Sequence, residues 1–193
     1  MVFMSLETKM EQHPTAIVEG QNNHLGEGSL IGPYCTVKDI TLGKGAKLFK
    51  FVNAYGCHIG AETKVGAYVE IQGGAKVGDR SFISSHSFIC DLVTIGNDVF
   101  VGHGVMTIND MFPPSRRRTG SPEHWESTQI GNNVMIGSNA TIFPVKIGDY
   151  AFIGAGSVVK KDVPANQVWA GNPARYICDV KDLKYKNGEP VFS

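Results

Sequence analysis

Residues 59–102 read IGAETKVGAYVEIQGGAKVGDRSFISSHSFICDLVTIGNDVFVG. An aliphatic residue stands at every sixth position: Ile59, Val65, Ile71, Val77, Ile83, Ile89, Ile95 and Val101. A helix asks for apolar residues about 3.6 apart, and a strand for every second one. A beat of six fits neither alone; it is the mark of a hexapeptide β-solenoid. Each hexad is a short flat strand and a corner, and three hexads close one triangular coil of about 18 residues. The aliphatic residue points to the axis, and the Gly that often follows it is assigned to the tight corner. Stacked coils pair each strand with those above and below at about 4.8 Å. Each buried Ile, Val or Leu contributes roughly 1.5–3 kcal/mol, and only a stack can cover the interior face.

Working outward, the beat extends to Leu25, Ile31 and Val37 on one side and to Ile130, Ile136, Ile142, Ile147, Ile153 and Val159 on the other. It slips by one residue between Val37 and Leu42, between Leu48 and Ile59, and between Ile142 and Ile147. Each slip is a deletion at a corner. The coils then begin near residues 25, 42, 59, 77, 95, 130 and 147, about seven coils and ~34 Å of prism. Residues 1–16 read as a lead-in, 17–176 as the all-β domain and 177–193 as a short C-terminal tail with a tight turn at Asn187-Gly188. One long loop, about residues 107–129, interrupts the array: NDMFPPSRRRTGSPEHWES runs from Asn109 to Ser127. Such a loop within a regular array points to function.

Lys+Arg and Asp+Glu are equal at 18 each, which argues against a general nucleic-acid binder. Cys35, Cys57, Cys90 and Cys178 are far apart and read as free thiols of a reducing compartment. No apolar h-region opens the chain and no 18-residue apolar run occurs, so a cytoplasmic protein without a membrane partner is expected.

The loop follows directly on ISSHSFICDLVTIGNDVFVGHGVMTIND (83–110). His86 is three residues into its hexad and His103 two into the equivalent hexad one coil on, so both lie near one edge of neighbouring coils. Imidazole, with an ordinary pKa near 6.5, suits proton transfer at neutral pH. His86 is the candidate catalytic base; His103 is a candidate binding or orienting group. His58, placed on a corner, reads as structural.

With IGAGSVVKKDVPANQVWAGNPAR (153–175) added to the hexads, the chain resembles the hexapeptide-repeat acyltransferases of left-handed parallel β-helix fold. FVNAYGCHIG (51–60), the segment 83–105 and TINDMFPPS (107–115) resemble the branch that N-acetylates nucleotide-linked 3-amino sugars. The resemblance implies a homotrimer with active sites between neighbouring prisms, acetyl-CoA as donor, and a dTDP- or UDP-linked 3-amino sugar as acceptor. It matches His86 to the family's polar catalytic position and Asn109, Asp110 and Phe112-Pro113 to the acceptor loop; relatives usually have Arg directly after the Pro, whereas here Pro114 and Ser115 come first, and Arg116 is the candidate contact to the diphosphate. It places the CoA contacts at Ala155, Lys160, Lys161, Gly171 and Arg175. The zinc carbonic anhydrases of the same repeat carry a H-x-x-x-x-H pair and a third His; no such pair occurs here, so no metal is expected. Two other readings stay open: an antibiotic- or small-alcohol-type O- or N-acetyltransferase, and a non-catalytic solenoid that serves as a binding module.

Overall fold

The computed structural model describes residues 9–112 and 122–191. Its strands line three flat faces of a prism. Face I has ten strands, face II eight and face III seven. All pairings along the stack are parallel, and the residues that pair lie one coil apart. On face I, Leu30 pairs with Lys47 and Lys47 with Lys64, a step of 17 residues; Lys64 pairs with Phe82 and Phe82 with Phe100, a step of 18. The one-residue slips in the sequence are therefore coils shortened by one corner residue.

The interior is a stack of aliphatic layers. Ile31, Leu48, Val65, Ile83, Val101, Ile136 and Ile153 face inward from face I; Leu42, Ile59, Val77, Ile95, Ile130 and Ile147 do so from face III. All are buried. Face II follows the rule except in the coil before the loop, where buried Thr107 takes the inward place. Its hydroxyl donates to the Phe88 carbonyl (3.1 Å) and accepts from the Cys90 N–H (2.8 Å), so the polar atom is satisfied.

The stack has eight coils rather than about seven. The additional coil is N-terminal: Glu11–Gln12 pairs with Leu30–Ile31, and Ile17–Glu19 with Thr36–Lys38. Gln12 and His13 stand where the beat expects an aliphatic residue and Gly, as Ile31 and Gly32 do one coil on, so this part of the coil is silent in the hexad count. At the other end the sheet continues past Pro164. Gln167–Gly171 pairs in parallel with Phe152–Ile153 and then turns back as an antiparallel hairpin with Ala174–Asp179. The peptide bond between Asn172 and Pro173 in that turn is cis. The turn at Asn187-Gly188 is present, closed by the Gly188 N–H donating to the Tyr185 carbonyl (2.9 Å).

The corners correct one expectation. The Gly after the aliphatic residue does not supply the left-handed turn. That conformation falls to residues such as Tyr68, Arg80, His86 and Leu92, with φ between 53° and 66°. The Gly is needed because successive coils touch there. A Cβ on Gly78 would lie 2.6 Å from the Gly96 carbonyl carbon, which is backbone held by the ladder. Gly78→Ala is therefore expected to destabilise the fold by about 1–3 kcal/mol, read as a lower midpoint of denaturant unfolding. An unchanged midpoint would mean the coils can move apart at that corner.

His58, placed on a corner by the sequence reading, lies instead in a face III strand, exposed and paired with Thr41 and Lys76. The four cysteines are free thiols, and burial pushes the Cys57 thiol up to about 12, which leaves it unreactive.

Candidate functional site: the first corner and the groove beside it

The corner between faces I and II repeats one left-handed position on every coil from the second onward. Tyr34, Phe51, Tyr68 and His86 occupy it in turn. Because the coil spacing of about 4.8 Å is close to a ring-stacking distance, their side chains form one ladder. The ring centroids are 5.2, 4.8 and 5.0 Å apart and the planes are within 13° of parallel. The ladder ends above His86, where the position is Gly104 (φ 66°). A Cβ there would lie 2.5 Å from Asn139 Oδ1, so the Asn139 carboxamide leans into the rung above the imidazole.

His103 immediately precedes Gly104. Its Nδ1 is 2.9 Å from Ser85 Oγ, and its backbone N–H donates to Ser138 Oγ (3.2 Å). Ser85 thus fixes the ring and leaves Nε2 free of that contact. His103 and Ser85 line the upper end of a groove of about 960 Å³ that runs down face I past Phe82 and Phe49 to Met10. The two histidines therefore come together as the hexad count expects, on adjacent coils at one corner. Both are exposed.

The loop leaves from a different corner. Asn109 and Asp110 lie between faces II and III, across the whole of face II from the histidines. The Asn109 carboxamide donates to the Asp91 carbonyl (3.5 Å), and the Asn109 carbonyl accepts from the Glu126 N–H (2.8 Å), so the two ends of the loop are tied together. Asp110 Oδ1 accepts from the Phe112 N–H (3.0 Å). One copy of the chain does not bring these residues to His86. Arg116 lies outside the described residues.

Beneath the loop the sequence reading missed a polar group. The Tyr55 hydroxyl donates to Glu70 Oε1 (3.3 Å), to which Gln72 also donates (3.4 Å). Burial, then the Glu70 charge, pushes the Tyr55 phenol up. The Asp91 carboxyl is raised by burial. A raised carboxyl binds more protons folded than unfolded, so its stabilising share is present at low pH and is lost as pH rises above the ordinary Asp value of about 3.9 through the folded one. Asp91→Asn is expected to raise the melting temperature at neutral pH and leave it unchanged at pH below the carboxylate range. A lower melting temperature at neutral pH would contradict this.

The residues assigned to CoA gather at the C-terminal end. Ala155 is exposed at the first corner of the last coil. Nearby, the Gly171 N–H donates to Ser157 Oγ (3.2 Å). Lys160 and Lys161 follow the last face II strand, Val158–Val159, with Lys160 Nζ 5.1 Å from the centre of the Phe143 ring. Arg175 is the second residue of the return strand of the hairpin, and its guanidinium donates to the Ala174 carbonyl (3.0 Å). Three exposed cations thus sit at one end of the prism, two coils above His103. Among the described residues, no group of three His, Cys, Asp or Glu side chains is placed to hold a metal ion. No helix among them is long and apolar enough to cross a membrane.

Residues 56–91 and 127–161 match the family described as bacterial transferase hexapeptide (six repeats), so all but the last residues of the loop fall in the gap between the two matched segments. A solved maltose O-acetyltransferase from Clostridium difficile 630 is 30% identical, with 63% of this chain and 68% of that one covered and a TM-score of 0.54. The chain belongs to the hexapeptide-repeat transferases. Within that family it is also similar to a hexapeptide-repeat-containing acetyltransferase from Vibrio cholerae O1 biovar eltor, solved in complex with acetyl coenzyme A. That structure is 27% identical, covers 66% of this chain and 72% of its own, and has a TM-score of 0.55. The bifunctional protein GlmU of Acidithiobacillus ferrooxidans is 37% identical over 146 residues, which is 75% of this chain. The chain spans only 30% of that relative's length.

Proposed function

We propose that this hexapeptide-repeat protein is an acetyl-CoA-dependent N-acetyltransferase whose acceptor is the amino group of a dTDP- or UDP-linked 3-amino sugar. The observation that carries the reading is the pair of exposed imidazoles on adjacent coils of this scaffold, with His103 at the upper end of a long groove. The relative that binds acetyl coenzyme A supports the donor, and the motifs at 51–60, 83–105 and 107–115 support the acceptor. The neutral sugar amine attacks the thioester carbonyl; a C–N bond forms, the C–S bond breaks, and CoA leaves as its thiolate. His86 takes the proton released from nitrogen. His103, oriented by Ser85, holds the acceptor. Most of the rate comes from holding amine and thioester together. Ala155, Lys160, Lys161, Gly171 and Arg175 hold the coenzyme, the three cations pairing with its phosphates.

The site belongs to a homotrimer, in which the loop corner of one copy faces the first corner of the next. This arrangement gives Asn109 and Asp110 access to the acceptor that a single copy denies them. Co-expressing His86→Ala with Asp110→Ala chains tests it. Each mixed trimer should regain one of its three sites, the one that draws the intact residue from each chain, or about a quarter of all sites after random assembly at equal amounts. No recovery beyond the sum of the two parents would place the residues in separate sites.

The maltose O-acetyltransferase relative favours a second reading, acetyl transfer to a sugar hydroxyl without a nucleotide. Initial rates over nucleotide-linked 3-amino sugars, the same sugars without nucleotide, and simple sugars separate the two. Equal or better rates without the nucleotide would overturn the first.

A further inference from the structure

We infer that the lower half of face I is the binding site for the nucleoside diphosphate of the acceptor, with Lys47 and Lys64 on the phosphates and Phe49 on the base. This rests on the acceptor proposed above. It differs from a contact through the loop arginines, because it uses residues on the rigid ladder.

The outward column of face I reads Leu30, Lys47, Lys64, Phe82, Phe100 from coil to coil. Lys47 and Lys64 are therefore in register on adjacent coils, with backbones about 4.8 Å apart. Like charges opposite one another in a sheet are destabilising. Among the described residues neither has an ion-pair partner, and nor does Lys50 at the next corner. By contrast, the nearby Arg80 is already held by both carboxylate oxygens of Asp98, at 2.8 and 2.7 Å. Glu62 is the one acidic residue among those described that lines the cavity with these lysines. Two adjacent unpaired ammonium groups are the complement of a diphosphate, which presents two adjacent anionic groups.

The neighbouring column supplies the apolar half. Phe49 is 40% exposed, and the same position one coil below and one coil above is Gly32 and Gly66. Gly32, Phe49 and Gly66 all line the groove, so the ring offers an apolar surface, without side chains above or below it in its column, on which a planar base can lie. Phe82 and Phe100, 36% and 38% exposed, continue the apolar surface upward with their rings 6.0 Å apart. The 960 Å³ groove that ends at His103 and Ser85 shares Phe49 and Phe82 with a second cavity of about 690 Å³ that holds Lys47 and Lys64. The order along the prism is then base and phosphates at the third to fifth coils, sugar at His103, and coenzyme at the C-terminal end. The acceptor's reacting amine meets the donor from below.

Calorimetric titration of the full chain with dTDP, UDP and inorganic pyrophosphate tests this. Lys47→Ala/Lys64→Ala should raise the Kd for all three at least about tenfold. Phe49→Ala should raise it roughly tenfold for the nucleotides and leave pyrophosphate unchanged. All three side chains are exposed, so neither variant should lower the melting temperature or change the oligomeric mass or the affinity for acetyl-CoA. Unchanged nucleotide affinity in both variants, no nucleotide binding by the wild type, or a change of oligomeric mass would overturn the assignment, the last by showing that face I meets a second copy. Acetylation of nucleotide-linked amino sugars in the presence of any of these outcomes leaves the proposed reaction standing. No acetylation of any acceptor by the wild type overturns the reaction instead.

Discussion

His86→Ala is expected to lower kcat by about 100-fold or more while the acceptor KM stays near its wild-type value. The imidazole is exposed and stacked on Tyr68 at 5.0 Å, so its orientation is set by the ladder and survives small changes elsewhere. Removing it leaves the coil intact, since the His86 backbone N–H still donates to the Ala67 carbonyl (3.0 Å). What is lost is the group that takes the amine proton. His103→Ala, by contrast, should mainly raise KM, because His103 lines the groove rather than ending the stack. Steady-state kinetics over pH measure both. If the kcat loss follows His103 and not His86, the base is the imidazole held by Ser85. If neither variant loses kcat, the transfer proceeds without a protein base.

Lys160→Ala/Lys161→Ala/Arg175→Ala is expected to weaken acetyl-CoA binding by roughly 100-fold or more, since each charge-assisted contact to a phosphate is worth about 1.5–3 kcal/mol. All three side chains are exposed, so the fold should tolerate the change. Raising the salt concentration should weaken wild-type binding in the same direction, as screening predicts for exposed charges. Calorimetry with acetyl-CoA reads the effect. An unchanged Kd would mean that the coenzyme phosphates lie elsewhere on the prism.

The array from Ile59 to Val101 was legible because the interior admits one aliphatic residue per strand and the coil length converts that into a period. The first coil was not, because Glu11–Gln12 joins the ladder through backbone groups alone, which side-chain patterning cannot register. The glycines were legible as punctuation but not in their role. Close approach between coils and left-handed turns both call for Gly, and the sequence offers no means of separating them. At Tyr34, Phe51, Tyr68 and His86 a residue with a Cβ takes the turn, so the corner carries side chains that a Gly rule would deny it. Those four residues are 17, 17 and 18 apart, the coil lengths themselves. That spacing was the available signal for the ladder.

The adjacency of His86 and His103 was likewise readable from register. The separation of Asn109 and Asp110 from them was not, because a hexad count gives the order of corners but not the width of the face between them. The stacked lysines at 47 and 64 escaped for a different reason. In sequence they are two unremarkable surface residues 17 apart, and only the ladder makes them neighbours.

The most direct test of the account is the mass spectrum of a dTDP- or UDP-linked 3-amino sugar incubated with the protein and acetyl-CoA. The account predicts the gain of one acetyl group on the sugar nitrogen, with one equivalent of free CoA thiol released. An unmodified sugar across the panel, from protein that binds acetyl-CoA, would contradict it.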